Sequence, residues 1–300
     1  MNPPQAAPSR AAGIACFLAA LVALASFDAG SKYMLAYYPA PFINVTRYTA
    51  VATIALILLL RHGVPRWSQQ PYRPLLLARG LVLGTVGTCF MTALIWMPLA
   101  EATAIYFTSP LIVVALSPWL LGERVGPTQW LAVVTGFAGM LLIVRPNADL
   151  PLLGTLLMAI SAVCYALFQV ITRKLAGKVH ARVQYAYTAF ICLIITAIPA
   201  PFFLPDPWPG LTDGLIILGM GVSNGLAQIL LIAAFQRAEA STLAPLNYCH
   251  LLMALGFSTV LFDRPPDALA LAGTALIVGA GIFLVSRGPA GARPANRRTS

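Results

Sequence analysis

The sequence predicts an all-α polytopic membrane protein: ten transmembrane helices arranged as two inverted five-helix repeats, with both termini cytoplasmic. Three observations point there: the apolar content, the uneven sharing of basic residues between alternate loops, and polar landmarks that recur at one offset. The 300 residues are 59% hydrophobic and 9% charged, with a mean hydropathy of +0.81. Soluble domains are about 45–50% apolar and about a quarter charged.

Apolar runs of roughly 20 residues have the length of helix that crosses about 30 Å of hydrocarbon. Ten occur, at 11–38, 40–60, 75–97, 101–121, 127–145, 152–173, 181–200, 212–235, 242–262 and 268–286. The first is too long for the apolar region of a secretory signal, and no A-x-A-like cleavage site follows it, so it is read as helix 1. The spans use most of the chain and leave no separate soluble domain. The expected organisation is a cytoplasmic segment 1–10, a first five-helix repeat 11–146, a second 152–286 and a basic cytoplasmic tail 287–300.

Charge fixes the orientation. With the N-terminus inside, alternate loops place fifteen of the nineteen Lys and Arg residues on the cytoplasmic side, Arg10 and Arg79 among them, against only Glu123 and Glu239. The outer side holds Arg145 and Arg264 with Glu101, Asp149, Asp206, Asp213, Asp263 and Asp267. This is the positive-inside pattern, so the net charge of +10 is a topology signal rather than a nucleic-acid footprint. Cys16, Cys89, Cys164, Cys192 and Cys249 sit singly within apolar runs. They lack metal-ligand or redox spacing and read as small packing residues. No metal and no cofactor is expected.

The repeat appears when "LAEATAIYFTSPL" (99–111) is set beside "RAEASTLAPLNYC" (237–249), and "LLGERVGPTQWLAVVTGFAGMLLIV" (120–144) beside "VLFDRPPDALALAGTALIVGAGIFLV" (260–285). Phe27 matches Phe168, Lys32 matches Arg173, and "RYTA" (47–50) faces "AYTA" (186–189), all at offsets between 138 and 141. Five spans per half is an odd number, so the second half enters the membrane from the opposite side. Inverted repeats around a midplane site are a recurring construction of secondary transporters.

The "GER…W…G..G" run after helix 4 and its twin after helix 9 resemble the EamA-type repeats of the drug/metabolite transporter superfamily. The likeness covers about residues 13–286, with Asp263 in place of Glu and Ala270 opposite Trp130 in the second repeat. The length and ten-span plan are similar to those of bacterial amino-acid and metabolite exporters, the YddG-type exporters of aromatic amino acids among them. That resemblance implies a multi-pass protein of the bacterial cytoplasmic (inner) membrane, exporting a small solute.

Polar residues within the spans are the candidate site. Asp28 lies ten residues from the outer end of helix 1, about 15 Å deep at 1.5 Å per residue. Lys32 is one turn above it on the same face, and Arg47 reaches a similar depth from helix 2. Charges at such depth face the bundle interior and pair. On the functional reading Lys32 or Arg47 meets a substrate carboxylate while Asp28 holds the cation in place. The structural alternative is a buried ion cluster with Arg47 snorkelling outward. Helices 4 and 9 offer Tyr106, Ser109 and Pro110, and Pro245, Asn247, Tyr248 and His250. Pro110 and Pro245 loosen their helices and read as hinges, while the others supply hydrogen bonds and flat faces for an organic solute. Interhelical hydrogen bonding is the plainer role for such residues. Tyr165 with Gln169, and Asn224 with Gln228, each put two polar groups on one helix face. Trp96 serves either the cavity mouth or the interfacial aromatic belt. Gly80 with Gly84, and Gly221 with Gly225, make small-residue packing faces.

A transporter of small amphipathic organic solutes, amino acids including aromatic ones, fits these residues best. A carrier of nucleotide sugars or phosphate esters needs several cavity cations, and only Lys32 and Arg47 qualify. An intramembrane enzyme needs a nucleophile with a base, paired acids or a metal cluster, and no such set is present in the sequence. The partners expected are the small solute and the lipid bilayer, with the protein monomeric. Proton coupling through Asp28 and facilitated diffusion both fit.

Overall fold

The computed structural model describes residues 10–63, 70, 72–122, 125–145, 150–175, 178–235, 237 and 243–287. The cytoplasmic segment before Arg10, the tail after Arg287, the Glu123-Arg124 pair of the loop motif and its Ala238-Glu239-Ala240 counterpart lie outside the described residues.

Apolar helix-forming runs set the architecture: the described residues form eleven α-helices, two short 3₁₀ turns and no strand. The helices are α1 (Arg10–Met34), α2 (Ala40–His62), α3 (Arg73–Trp96), α4 (Leu99–Tyr106), α5 (Ser109–Leu120), α6 (Pro127–Ile143), α7 (Leu152–Leu175), α8 (Ala181–Ala197), α9 (Leu211–Phe235), α10 (Tyr248–Phe262) and α11 (Ala268–Arg287). Seven stretches are long and apolar enough to cross a membrane, and one of them, Leu99–Leu120, comprises α4 and α5 together. Helices α6, α10 and α11 are apolar but shorter.

The interruption between α4 and α5 follows from Pro110. A proline has no N–H for the carbonyl four residues back and crowds it, here that of Tyr106. The chain passes through Phe107 and Thr108 with Thr108 Oγ1 donating to the Ile105 carbonyl at 2.7 Å. One turn of 3₁₀ helix, Ala244–Asn247, leads into α10 at the corresponding place in the second half and contains Pro245.

Packing follows the repeat. α3 lies on α7 and α8 as α9 lies on α1 and α2, and α4 and α5 pack on α7 as α10 packs on α1. α6 meets α11, and α4 meets α10. Glycines set the register of these crossings. A Cβ at Gly80 would lie 2.6 Å from Ile191 Cβ, and one at Gly84 2.7 Å from Ile195 Cδ1. One at Gly221 would lie 3.0 Å from Ala50 Cβ, and one at Gly225 would meet Ile54 Cδ1. Adding 141 converts Gly80, Gly84, Ala50 and Ile54 into Gly221, Gly225, Ile191 and Ile195. The two small-residue faces are therefore the same joint used twice. This register places Thr188 opposite Arg47, two residues beyond the Ala186 that matching "RYTA" to "AYTA" selects.

The largest buried cluster surrounds α4 and draws Phe90, Leu94 and Met97 from α3, Met158 from α7, and Tyr248 and Leu251 from α10. At the end of the bundle away from Arg10, Arg145 pairs with Asp267, whose Oδ1 accepts from Ala270 N–H at 2.7 Å and caps α11. The hydrogen bond from Arg145 holds the Asp267 carboxyl below its ordinary value of 3.8.

Candidate functional site

Asp28, in α1, points at α10. Its Oδ2 lies 3.2 Å from His250 Nε2, within ion-pair range but off the line of a hydrogen bond, so that nitrogen has no hydrogen-bond acceptor. Lys32, one turn on, does not pair with Asp28. Its Nζ donates to the carbonyl oxygens of Leu94 at 2.5 Å and Met97 at 2.9 Å. A lysine reaching the last carbonyls of a helix satisfies acceptors that have no helical partner and sits favourably at the negative end of the dipole. Asp28 was expected to hold Lys32 or Arg47; of these, Lys32 is tied instead to the end of α3. It borders a cavity of about 230 Å³ with Tyr33, Tyr37, Leu94 and Phe262.

Arg47, in α2, lies over two aromatic faces. Its guanidinium carbon is 4.5 Å from the Phe27 ring centroid and 4.9 Å from that of Tyr48. Nε reaches Asn224 Oδ1 of α9 at 3.4 Å, the guanidinium's one hydrogen bond among the described residues. Asn224 is 1% exposed and its Nδ2 has no acceptor. Beyond that bond the half-buried Arg47 guanidinium has no acceptor among the described residues, and Asn224 adds one buried N–H donor without a partner. Phe27, under the Arg47 guanidinium, precedes Asp28 on α1, and the Phe107 ring joins Tyr106 to the histidine beside Asp28.

From there an aromatic path runs toward the end of the bundle that carries Arg10. Phe107, at the break between α4 and α5, lies 5.6 Å from the His250 ring, 6.0 Å from Tyr248 and 5.9 Å from Tyr106. Tyr106 and Tyr165 of α7 are 4.9 Å apart, and Tyr165 stacks on Phe168 at 5.8 Å with the rings 13° from parallel. The guanidinium of Arg79, on α3, closes the path 4.3 Å from the Phe168 centroid.

Of the candidates, Asp28, Arg47, Tyr106, Tyr165, Asn224, Tyr248 and His250 are brought together. Tyr248 is 5% exposed, and its hydroxyl lies so close to Gly281 of α11 that a Cβ there would overlap it. Ser109 is buried at the start of α5, behind the break. Gln169 and Gln228 are half-buried and make no side-chain hydrogen bond among the described residues. Trp96 ends α3 on the surface, 46% exposed, and Asn247 is exposed at the start of α10. Of the hinge prolines, Pro110 marks the observed break.

Sequence reasoning missed Arg79, Phe107 and Phe168. Arg79 was counted with the cytoplasmic loop charges, although it stands six residues inside α3 in the apolar stretch "LLLARGLVLG". It also missed Glu101, in the first turn of α4, whose Oε2 is buried without a hydrogen-bond partner. Asp28 is therefore not the sole acid inside the spans.

A model of the EamA-like transporter family matches residues 11–145 and 152–287. The chain belongs to that family. The EamA-like match covers both halves, in keeping with two repeats, and makes the chain a multi-pass transporter of the drug/metabolite type. Among its relatives is an S-adenosylmethionine uptake transporter of Rickettsia bellii, 26% identical over 276 residues that cover 91% of this chain and 93% of that protein. Pseudopaline exporter CntI of Pseudomonas aeruginosa is 30% identical over 272 residues, covering 88% and 94%. A riboflavin transporter of Brucella anthropi is 27% identical over 278 residues, covering 90% and 95%. A crystal structure 22% identical in sequence superposes with a TM-score of 0.66 over 92% of this chain and 96% of that one, which supports the fold.

Proposed function

We propose that this EamA-like transporter exports small amphipathic organic solutes, amino acids including aromatic ones, by alternating access around the site between its two repeats. The observation that carries the reading is the Arg47–Asn224 pair. A half-buried guanidinium with one hydrogen bond among the described residues and a buried amide whose Nδ2 lacks an acceptor sit over an aromatic floor. A carboxylate satisfies such donors with charge-assisted bonds, and the rings of Tyr106, Phe107 and Tyr165 offer faces to a flat side chain. Asp28 and His250, beside them, supply an acceptor and an imidazole for the amino group.

The proposed topology has ten spans, both termini in the cytoplasm and the second repeat inverted, in the bacterial inner membrane. The fourteen basic residues that remain on one side once Arg79 is set aside support it, as does the exchange of helix contacts between the halves. An uptake transporter and an exporter are both among the relatives, so direction rests on the resemblance to bacterial amino-acid exporters. The cargoes named for the relatives are S-adenosylmethionine, pseudopaline and riboflavin, small organic solutes like the class proposed here.

The test is uptake of a radiolabelled amino-acid panel into proteoliposomes, with Arg47→Gln and Asn224→Ala as variants and counterflow from loaded vesicles for direction. Losing a hydrogen bond to a charged group costs about 1.5–3 kcal/mol. The half-saturation concentration should rise roughly 10- to 100-fold in Arg47→Gln. No movement of any amino acid by folded wild-type protein would sink the substrate class.

A further inference from the structure

We infer that Arg79, lying over Phe168 and flanked by Thr172 and Thr188, is a second carboxylate site at the basic end of the bundle, the counterpart of the Arg47 site near the opposite end. This rests on the proposed transport of carboxylated solutes and deepens it, because it gives the carboxylate a place on each side of the midplane.

The argument begins with the register of 141 set by the glycine joints. Phe27 maps onto Phe168, and Ser31 onto Thr172. In both pairs the hydroxyl donates to the phenylalanine carbonyl, at 2.7 Å in each case. Arg47 maps onto Thr188, and Arg79 onto Met220. In the first repeat's joint the guanidinium over the phenylalanine comes from the second helix, and Met220 of α9 packs in the same cluster as Phe27. In the second repeat's joint the two positions have traded chemistry. Thr188 stands where the arginine would be, and Arg79 of α3 fills that place, donating to Thr188 Oγ1 and lying over Phe168. Two unrelated positions thus deliver a guanidinium to equivalent aromatic faces. A residue serving only to bind α3 to its neighbours has no reason to reproduce that geometry.

Depth agrees. Arg79 is six residues into α3 and Arg47 seven into α2, which starts from the opposite end. At 1.5 Å per residue each lies about 10 Å from its own end. Partners agree as well. Arg79 donates Nε to Thr172 Oγ1 at 2.8 Å and Nη1 to the Gln184 carbonyl at 3.0 Å. Among the described residues all of its acceptors are neutral, Nη2 has none, and no carboxylate is within ion-pair range. A largely buried cation held this way is costly unless a charge of opposite sign arrives. Between the two arginines run the rings of Tyr106 and Tyr165, 4.9 Å apart, and Tyr165 and Phe168, 5.8 Å apart. A flat side chain can move along those faces while its carboxylate passes from one guanidinium to the other.

The test uses the full chain in proteoliposomes of known orientation, set by the protease accessibility of an N-terminal tag. Half-saturation for L-tryptophan is measured under zero-trans conditions from each face, for wild type, Arg79→Gln, Arg79→Lys and Arg47→Gln. Arg79→Gln should raise it roughly tenfold or more from the basic face and change it less than about twofold from the other. Arg47→Gln should do the reverse, and Arg79→Lys should fall between wild type and Arg79→Gln. Tryptamine, which lacks the carboxylate, should respond to neither glutamine variant. Equal effects on both faces, or a loss of stability with unchanged half-saturation, make Arg79 a structural residue and overturn the inference. If Arg79→Gln does not fold, Arg79→Lys carries the same comparison. Wild-type protein that moves no carboxylated solute from either face overturns the proposed function itself, an outcome distinct from symmetric transport.

Discussion

Replacing Gly139 by alanine tests whether the joint between α6 and α11 is closed by bare backbone. A Cβ at residue 139 would come within 2.6 Å of the Gly273 carbonyl oxygen and 2.9 Å of Leu276 Cβ, where ordinary contact begins near 3.4 Å. The helices must therefore part by about 0.8 Å, since the obstacle is main chain and no rotamer change clears it. Overpacking costs about 1–3 kcal/mol, and a backbone obstacle puts this case at the upper end. Alanine returns about 1 kcal/mol of helix propensity over glycine, leaving a net loss of about 2 kcal/mol. Gly279, on the same α11, has nothing within 4 Å of its own Cβ position. Gly279→Ala should keep the propensity gain without the clash. The assay is thermal unfolding of purified protein in detergent, followed by size exclusion after heating, with half-saturation measured in parallel. Gly139→Ala should melt below wild type and Gly279→Ala at or above it. Neither should change half-saturation, since neither glycine touches a site residue. A Gly139→Ala protein as stable as wild type would refute the reasoning, because the close approach of backbones would then be absent.

Lys32→Met keeps most of the apolar stem and removes the donor to the Leu94 and Met97 carbonyls. It should cost about 1–3 kcal/mol in a denaturation midpoint, and a shift in half-saturation with stability unchanged would return Lys32 to the substrate site. Asp28→Ala and His250→Ala, alone and combined, should show a coupling of about 0.5–3 kcal/mol in stability; strictly additive effects would mean the two groups do not interact. Asp267→Asn keeps a good helix cap and removes the ionic partner of Arg145. The lowered carboxyl means that its contribution is present above pH 3.8 and lost as pH falls through the folded-state value. The acid limb of the wild-type stability curve should therefore flatten in Asp267→Asn, and an unchanged limb would count against the pair.

Span positions were legible because hydrocarbon leaves the backbone few options, and the apolar runs coincide with the seven stretches long enough to cross a membrane and the three shorter apolar helices. Pro110 announced the break in the fourth span through its missing donor. The partner of Asp28 was not legible. Spacing along α1 offered Lys32 one turn away, whereas the lysine stem reached the end of α3 and left Asp28 to a histidine on a helix more than 200 residues later. Helical periodicity describes neighbours on one helix and carries no information about which other helix packs there. Arg79 was lost for a related reason. A count of basic residues by side assigns each one to topology, so an arginine six residues inside a span looks like a loop charge until its three acceptors on α7 and α8 are seen.

The repeat was read from polar landmarks, yet what preserves it in three dimensions is apolar: two glycines on α3 and two on α9 that let Ile191, Ile195, Ala50 and Ile54 approach. Such joints need only small residues opposite larger ones, so they hold the pseudosymmetry while the charges drift. The charges do not follow that symmetry. Asp28 has Gln169 as its counterpart and Arg47 has Thr188, so the halves differ in net charge at matching depths. Thr188 carries no guanidinium, and position 79 supplies one over the equivalent phenylalanine. Under the proposed alternating access, equal scaffolds would let two halves exchange conformations at little cost, and unequal charges would let the exchange favour one orientation of an asymmetric solute. Under the proposed function, a guanidinium toward each end would give a carboxylate a partner in either orientation of the bundle, whereas the Asp28–His250 pair, at about the depth of Arg47, would meet the solute at that end alone.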